Sequence, residues 1–400
     1  MSKSIYLDHS ATTPLDRAVL KAMLPYFSQN YGNPSSLHSF GQRAAAAVNQ
    51  AREQAAEFLN CQSGEIIFTS GATEADNLAI FGAVKALKKK NPQEKFHIIT
   101  SAVEHPAVLE PCHQLAAEGV EVTYLKVQKN GVIDLAEFKK AIKARTVFVS
   151  VMYVNSEIGA IQPIREIGKI IEKINEQRAR RGSNKKIYFH TDAVQALNFL
   201  NCDVKYLHVD LLSMSGHKIY GPKGVGALFV KSGTPLIGVQ LGGHHEKNLR
   251  SGTLNVPSIV GLGQALKFCS RNKEKNNKKI AQLREVFLVA LKRRIPKIII
   301  NTDIKNSTPS HANISFVGAE GESILIALDL AGVAVSTGSA CASSSLKASP
   351  VLKAMGLKDE IAHSTIRFTF GKNNTAAEIG RVLKVLPPLV KKLRLMAPEP

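Results

Sequence analysis

The chain has 400 residues, 44% hydrophobic and 21% charged, so it can bury more than one core and is neither a disordered tail nor a membrane bundle. No apolar run is long enough to cross a bilayer, and the opening MSKSIYLDHSATTP lacks the apolar stretch and cleavage site of a secretory signal, so a cytoplasmic protein without membrane contact is expected. The formal charge of +20 gathers in KALKKK (85–90), RARRGSNKK (178–186), KEKNNKK (273–279) and LKRR (291–294); with no interleaved aromatics these runs read as solvated helix faces, and no direct contact with nucleic acid is expected.

In chain order, β-branched apolar runs alternate with segments of helical period. EIIFTS (65–70) precedes the helical TEADNLAIFGAVKALKKK (73–90), and FHIITS (96–101), VEVTYL (120–125) and TVFVSVM (146–152) follow. The helical REIGKIIEKINEQRARR (165–181) then leads to KIYFHTD (186–192) and VDLLSMS (209–215). Strands apolar on both faces and separated by helices predict a mainly parallel sheet covered on both sides, a three-layer α/β domain. Residues 256–294 hold two helices' worth of sequence. After them HANISF (311–316), ESILIALDLAG (322–332) and STIRFTF (364–370) predict a smaller α+β domain. The expected division is a large domain over 16–260 and a small one from 1–15 and 261–400.

Polar clusters follow these strands, where ligands bind in open α/β sheets. TSGATEADN (69–77) runs from a strand through Ser-Gly-Ala-Thr into a helix, and Thr73 with the free N–H groups of that helix start would suit a phosphate; the alternative is a plain Thr cap. In SAVEHPAV (101–108) His105 opens a helix, as a cap or as a functional ring. In HTDAVQ (190–195) Asp192 ends an apolar strand with no local cation, and a buried carboxylate needs one; a cationic ring nitrogen would serve. SMSGHKIYGPKG (213–224) sets Lys218 at a strand end. Together these make a site for pyridoxal phosphate (PLP), with Lys218 as its covalent anchor. Five scattered cysteines, Cys61, Cys112, Cys202, Cys269 and Cys341, form no C-x-x-C pair, and no metal is expected. Only Cys341 lies among small polar residues, STGSACASSSLKASP, which suits a mobile exposed loop and a reactive thiol.

From YLDHSATTP (6–14) to STIRFTFG (364–371) the chain resembles the cysteine desulfurases, PLP enzymes of the class V aminotransferase group. The resemblance runs through YGNPSSLHSFG (31–41), GATEADN, EHPAV, VNSEIGAIQPI (154–164), HTDAVQ, SGHKIYGPKG, RSGTLN (250–255) and STGSACASSS (336–345). It implies a fold-type-I PLP transferase that works as a homodimer, takes sulfur from L-cysteine and leaves L-alanine. By position it makes Lys218 the Schiff-base lysine and Asp192 the partner of the ring nitrogen. It sets His105 on the ring as a proton carrier and Gln195 at the ring hydroxyl. Thr73, Ser215 and His217 would hold the phosphate, joined by Thr253 from the other subunit. Arg367, helped by Asn155, would meet the substrate carboxylate. Cys341 would take the sulfur as a persulfide and pass it to an acceptor protein, such as an iron–sulfur scaffold or a tRNA-thiolation carrier.

LGGHHEKNLRSGT (241–253) departs from the family in carrying His244 for a glycine and Lys247 for an arginine, which could alter a turn or add a polar contact. The helix ending at 175–186 is longer and more basic than usual, and LRLMAPEP stops soon after the last helix. A selenocysteine lyase, an aminotransferase and a basic scaffold with a vestigial site are the rival readings; Cys341 argues against the aminotransferase and Lys218 against the scaffold.

Overall fold

Short runs of Ile, Val and Phe, buried on both faces, form the central strands of the computed structural model, which describes residues 4–337 and 348–396. The strands are β1 (Ile5–Tyr6), β2 (Ile66–Thr69), β3 (His97–Ser101), β4 (Glu121–Leu125), β5 (Thr146–Ser150), β6 (Tyr188–Asp192), β7 (Leu211–Ser215), β8 (Gly226–Val230), β9 (Ile298–Ile300), β10 (His311–Phe316), β11 (Val333–Ala334) and β12 (Thr365–Thr369). Seven of them make one sheet in the order β2-β8-β7-β6-β5-β3-β4. Strands β3 to β7 pair in parallel, as the alternation with helices requires, and β8 runs against both its neighbours. The sequence reading did not contain β8, because Gly224 and Gly226 punctuate its start like a loop.

Apolar clusters cover the sheet on its two faces. One sets Phe68, Val149, Phe189 and Leu212 against the helices Ser39–Leu59 and Ile164–Arg180; the other sets Ile98, Phe148, Leu211 and Leu228 against Ala72–Lys90 and Pro106–Ala117. This is the three-layer arrangement expected. A separate antiparallel sheet, β12-β10-β9, packs with the helices Gly321–Leu330 and Ala376–Met396 around Phe287, Ile314, Phe316 and Phe368, and Ile5 and Leu7 of the N-terminal stretch join that core.

Residues 256–294 correct the expectation of two helices, since Val256–Arg294 is one helix of 39 residues. Its polar middle, RNKEKNNKK, has neither glycine nor proline after Gly263, so nothing breaks the hydrogen-bond ladder. Ile259, Leu262 and Leu266 sit in the core of the large sheet, while Ile280, Leu283, Phe287 and Leu291 sit in the second core. Among the described residues no helix is long and apolar enough to cross a membrane.

Candidate active site

The carboxyl ends of β2, β3, β5, β6 and β7 converge on a cavity of about 730 Å³, closed from the other side by Ser10, Ala11 and Thr12 and by Arg367 of β12. Thr73, His105, Asn155, Asp192, Gln195, Ser215, His217, Lys218 and Arg367 all line it. These are the residues singled out from the sequence except Thr253, which is exposed and stands outside the cavity of its own chain, and Cys341, which lies outside the described residues.

At one end the helix Ala72–Lys90 begins. Gly71 is its cap and Thr73 belongs to its first turn, so the plain Thr cap considered from the sequence is not what forms. Glu74 accepts from Ser70 N (2.8 Å) and Ser70 Oγ (2.5 Å) and is paired with Arg250 Nε at 2.8 Å, which fixes the entry of the helix. A Cβ on Gly226 would lie 2.5 Å from Met214 O and 2.8 Å from Gly71 Cα, so the turn before the helix reaches β8 only because that residue is glycine. His217 places Nδ1 3.1 Å from Thr12 Oγ1, and burial, with Lys218 and Lys223 adding, pushes its pKa down to about 4. Its imidazole is therefore neutral at physiological pH and offers a hydrogen bond rather than a charge.

At the other end Asp192 is buried and accepts from Val194 N at 2.9 Å. Burial raises its pKa, and the Val194 N–H, His105 and Lys218 pull the other way. Between the two ends the turn Gly216–Lys218, directly after β7, turns Lys218 into the cavity, where Nζ donates to Ser10 O at 2.5 Å and Ala11 O at 2.7 Å. Gln195 Nε2 donates to the same Ser10 O at 2.9 Å.

His105 is a helix cap whose ring also lines the cavity. Its Nδ1 accepts from Ala107 N at 3.1 Å at the start of the helix Pro106–Ala117. Accepting at Nδ1 assigns the proton of the neutral ring to Nε2. Arg367 is held by Asp8 (Nη2 to Oδ1, 2.8 Å) and Ser156 O (3.1 Å), while its buried Nε has no hydrogen-bond partner among the described residues. Asn155 is in place but engaged otherwise than expected: Oδ1 accepts from Glu157 N and Ile158 N, and Nδ2 donates to Val103 O at 3.0 Å. It builds the turn that carries Ser156 and Glu157 to the cavity rim.

The described residues on either side of 338–347 reach that rim. Ser336 exchanges backbone hydrogen bonds with Arg367, and Ser349 Oγ donates to Glu157 Oε2 at 2.6 Å, with Pro350 and Val351 lining the cavity.

Four groups escaped the sequence reading: Asp76, Glu104 and Glu157, which line the cavity, and His190 beneath it, all buried. Their only signal was a polar residue inside or beside an apolar run, which is common at surfaces too. Burial raises Glu104 to about 8 and Glu157 to about 7. Buried acids at one end, a helix start with neutral donors at the other and a lysine amine between them fit pyridoxal phosphate, which pairs a cationic ring nitrogen with an anionic phosphate and an aldehyde. Among the described residues no three His, Cys, Asp or Glu side chains gather as a metal site.

Residues 5–382 match the family model described as aminotransferase class-V. A cysteine desulfurase IscS of Dictyoglomus turgidum is 45% identical over 398 residues, covering 100% of this chain and 97% of the relative. A human cysteine desulfurase is 45% identical, covering 99% of this chain and 84% of its own length. Among solved structures, a NifS-like protein superposes with a TM-score of 0.88 at 34% identity over 98% of this chain and 100% of the other. SspA in complex with cysteine gives 0.79 at 34% identity over 93% and 100%.

Proposed function

Because the chain belongs to the aminotransferase class-V family, we propose that it acts as a cysteine desulfurase, which takes the sulfur of L-cysteine, leaves L-alanine and hands the sulfur on as a persulfide. The observation that carries this reading is the convergence of Lys218, Asp192 and the start of the helix Ala72–Lys90 on one cavity. Bound pyridoxal phosphate supplies an aldehyde that captures amines and an electron-withdrawing ring that stabilises negative charge at the substrate Cα.

In this reading Thr73, Ser215 and His217 hold the phosphate, Asp192 faces the ring nitrogen, Gln195 the ring hydroxyl, and His105 lies against the ring. Lys218 anchors the cofactor and, once displaced by substrate, takes the Cα proton; the carbonyls of Ser10 and Ala11 suit this because they accept from the resulting ammonium. Arg367 binds the substrate carboxylate with the Nε and Nη donors that Asp8 and Ser156 O do not take. His105 exchanges a proton with the substrate thiol through Nε2, since Nδ1 is committed to Ala107 N–H. The Cys341 thiolate attacks the substrate sulfur, forming the S–S bond as the C–S bond breaks; the anchoring of Ser336 and Ser349 at the rim supports its reach.

A second copy of the chain completes the reading: exposed Thr253 then serves the partner's phosphate site. Residues 16–260 form the cofactor-binding domain, 1–15 and 261–400 the domain that carries Cys341, and an iron–sulfur scaffold or a tRNA-thiolation carrier receives the sulfur in the cytoplasm. The test is alanine and sulfide release from L-cysteine with a reductant, wild type beside Cys341→Ser. Alanine from the wild type and almost none from the variant is expected. Equal alanine from both would remove Cys341 as nucleophile and favour a lyase.

A further inference from the structure

Beneath Asp192 lies a group of buried acids to which the reaction assigns no step. Asp76 stands three residues after Thr73 on the helix Ala72–Lys90, so one helix face brings both to the cavity. It is wholly buried, and among the described residues neither carboxyl oxygen has a donor in full bonding geometry, the Ser213 hydroxyl giving it weak support. Among the described residues its one potential counter-ion within 4 Å is His190, whose Nε2 lies 3.5 Å from Oδ1. His190 and Asp192 are two residues apart on β6 and therefore share a face of the sheet, the face this helix covers.

The other groups around Asp76 are better provided for. Asp192 has the Val194 N–H and the Lys218 charge, with His105 nearby. Glu104 accepts from Ser101 Oγ at 2.5 Å and from Met152 N at 2.9 and 3.0 Å. His190 sits between two hydroxyls, Ser150 Oγ and Ser213 Oγ, each at 2.9 Å, and either hydroxyl can donate or accept, so the ring is satisfied without a charge. Neighbouring buried carboxyls do not all ionise, and the proton stays where a negative charge would have the least support.

We infer that Asp76 is a positioning residue kept as a neutral acid beside a neutral His190, so that Asp192 is the carboxylate that presents its charge to the cavity. Burial, with the Asp192 charge adding to it, holds Asp76 well above the usual carboxylate range; the Ser213 hydroxyl offsets only part of this, and Glu104 adds again. Burial also pushes His190 down to about 3, so a full ion pair with Asp76 is not the resting state. Neutrality also explains why a wholly buried acid with so little hydrogen-bond support is tolerated at all.

The inference rests on Asp192 being the partner of the ring nitrogen, but its test reads the proton itself. Infrared spectra of the protein with and without bound cofactor would be followed from mildly acidic to mildly alkaline pH. In a Glu104→Gln, Glu157→Gln background, which removes the two other cavity acids that burial raises, a protonated carboxyl band that persists through neutrality and is missing once Asp76→Asn is added is expected. No such band in that background, or one that Asp76→Asn leaves in place, would overturn it. Should Asp76→Asn not fold, wild-type protein labelled with ¹³C at the aspartate carboxyls gives the same answer. One resonance should then remain at the protonated shift through neutrality and survive Asp192→Asn; its disappearance in that variant would give the proton to Asp192 and overturn the inference. Loss of desulfurase activity with the band intact would instead count against the reading of the site.

Discussion

His105 combines two demands in one ring: Nδ1 caps a helix, and the ring faces the cavity. Asparagine is among the best capping residues but has no ring to lay on a cofactor. His105→Asn should therefore keep its unfolding free energy within about 1 kcal/mol of wild type while alanine release falls by roughly 100-fold or more, as urea denaturation and turnover assays would read. Undiminished turnover would remove the ring from the reaction. Glu157, under the cavity rim, is raised by burial from 4.5 to about 7, although Ser349 Oγ, Arg367 and His105 favour its charge. The folded protein then binds this proton more tightly than the unfolded chain. Its stabilising contribution is full below about 4.5 and is lost as pH rises through about 7. In cofactor-free protein, Glu157→Gln should flatten the fall of stability across that window; a slope equal to wild type would assign the fall to the other buried acids.

At the scale of elements, the helix start and the turn before it depend on two close approaches. Gly226 lets Gly71 lie against β8, and a methyl group there would press on Met214 O and the Gly71 backbone together. Gly226→Ala should destabilise the fold by ~1–3 kcal/mol and also loosen cofactor retention, because the displaced turn carries the first N–H groups of the helix. Dialysis against buffer followed by absorbance would measure the retention, and a variant that holds the cofactor as firmly as wild type would show that the turn accommodates the methyl. The turn at 246–248 has three successive non-glycine residues with left-handed backbone, φ 42° at Glu246, 58° at Lys247 and 63° at Asn248. What holds it is Glu246, gripped by Arg52 (2.5 and 2.9 Å) and by Phe68 N (2.7 Å). Of the two effects expected of His244, the structure contains the polar contact, Nδ1 to Asn248 Oδ1 at 2.6 Å.

Across the whole molecule, the helix Val256–Arg294 is the member common to both cores. A rigid shared element couples their unfolding, so one cooperative calorimetric transition is expected of the wild type. Glu274 is exposed, in the polar stretch between the two apolar sections. Proline at this position removes a ladder hydrogen bond and costs about 3 kcal/mol or more. Glu274→Pro should thus split the transition in two; a single transition at lower temperature would mean that the cores are coupled by their direct contact instead. The same joint matters for the site, since Arg367 comes from the second core and Lys218 from the first.

By itself the sequence determined the mainly parallel sheet, the chain order of its strands other than β8, and the residues at the strand ends: Thr73, His105, Asp192 and Lys218. Those are local signals, because hydrophobic period and a polar residue closing an apolar run are written in consecutive positions. Which polar groups meet was decided by the tertiary structure. Asp8 beside Arg367, Glu246 beside Arg52 and Asp76 beside His190 are pairs separated by more than a hundred residues, and no period encodes them. The proton balance of the site belongs to the same class: Asp76, Glu104 and Glu157 look like ordinary acids in the chain, and only burial, which the fold imposes on all three together, changes what they are.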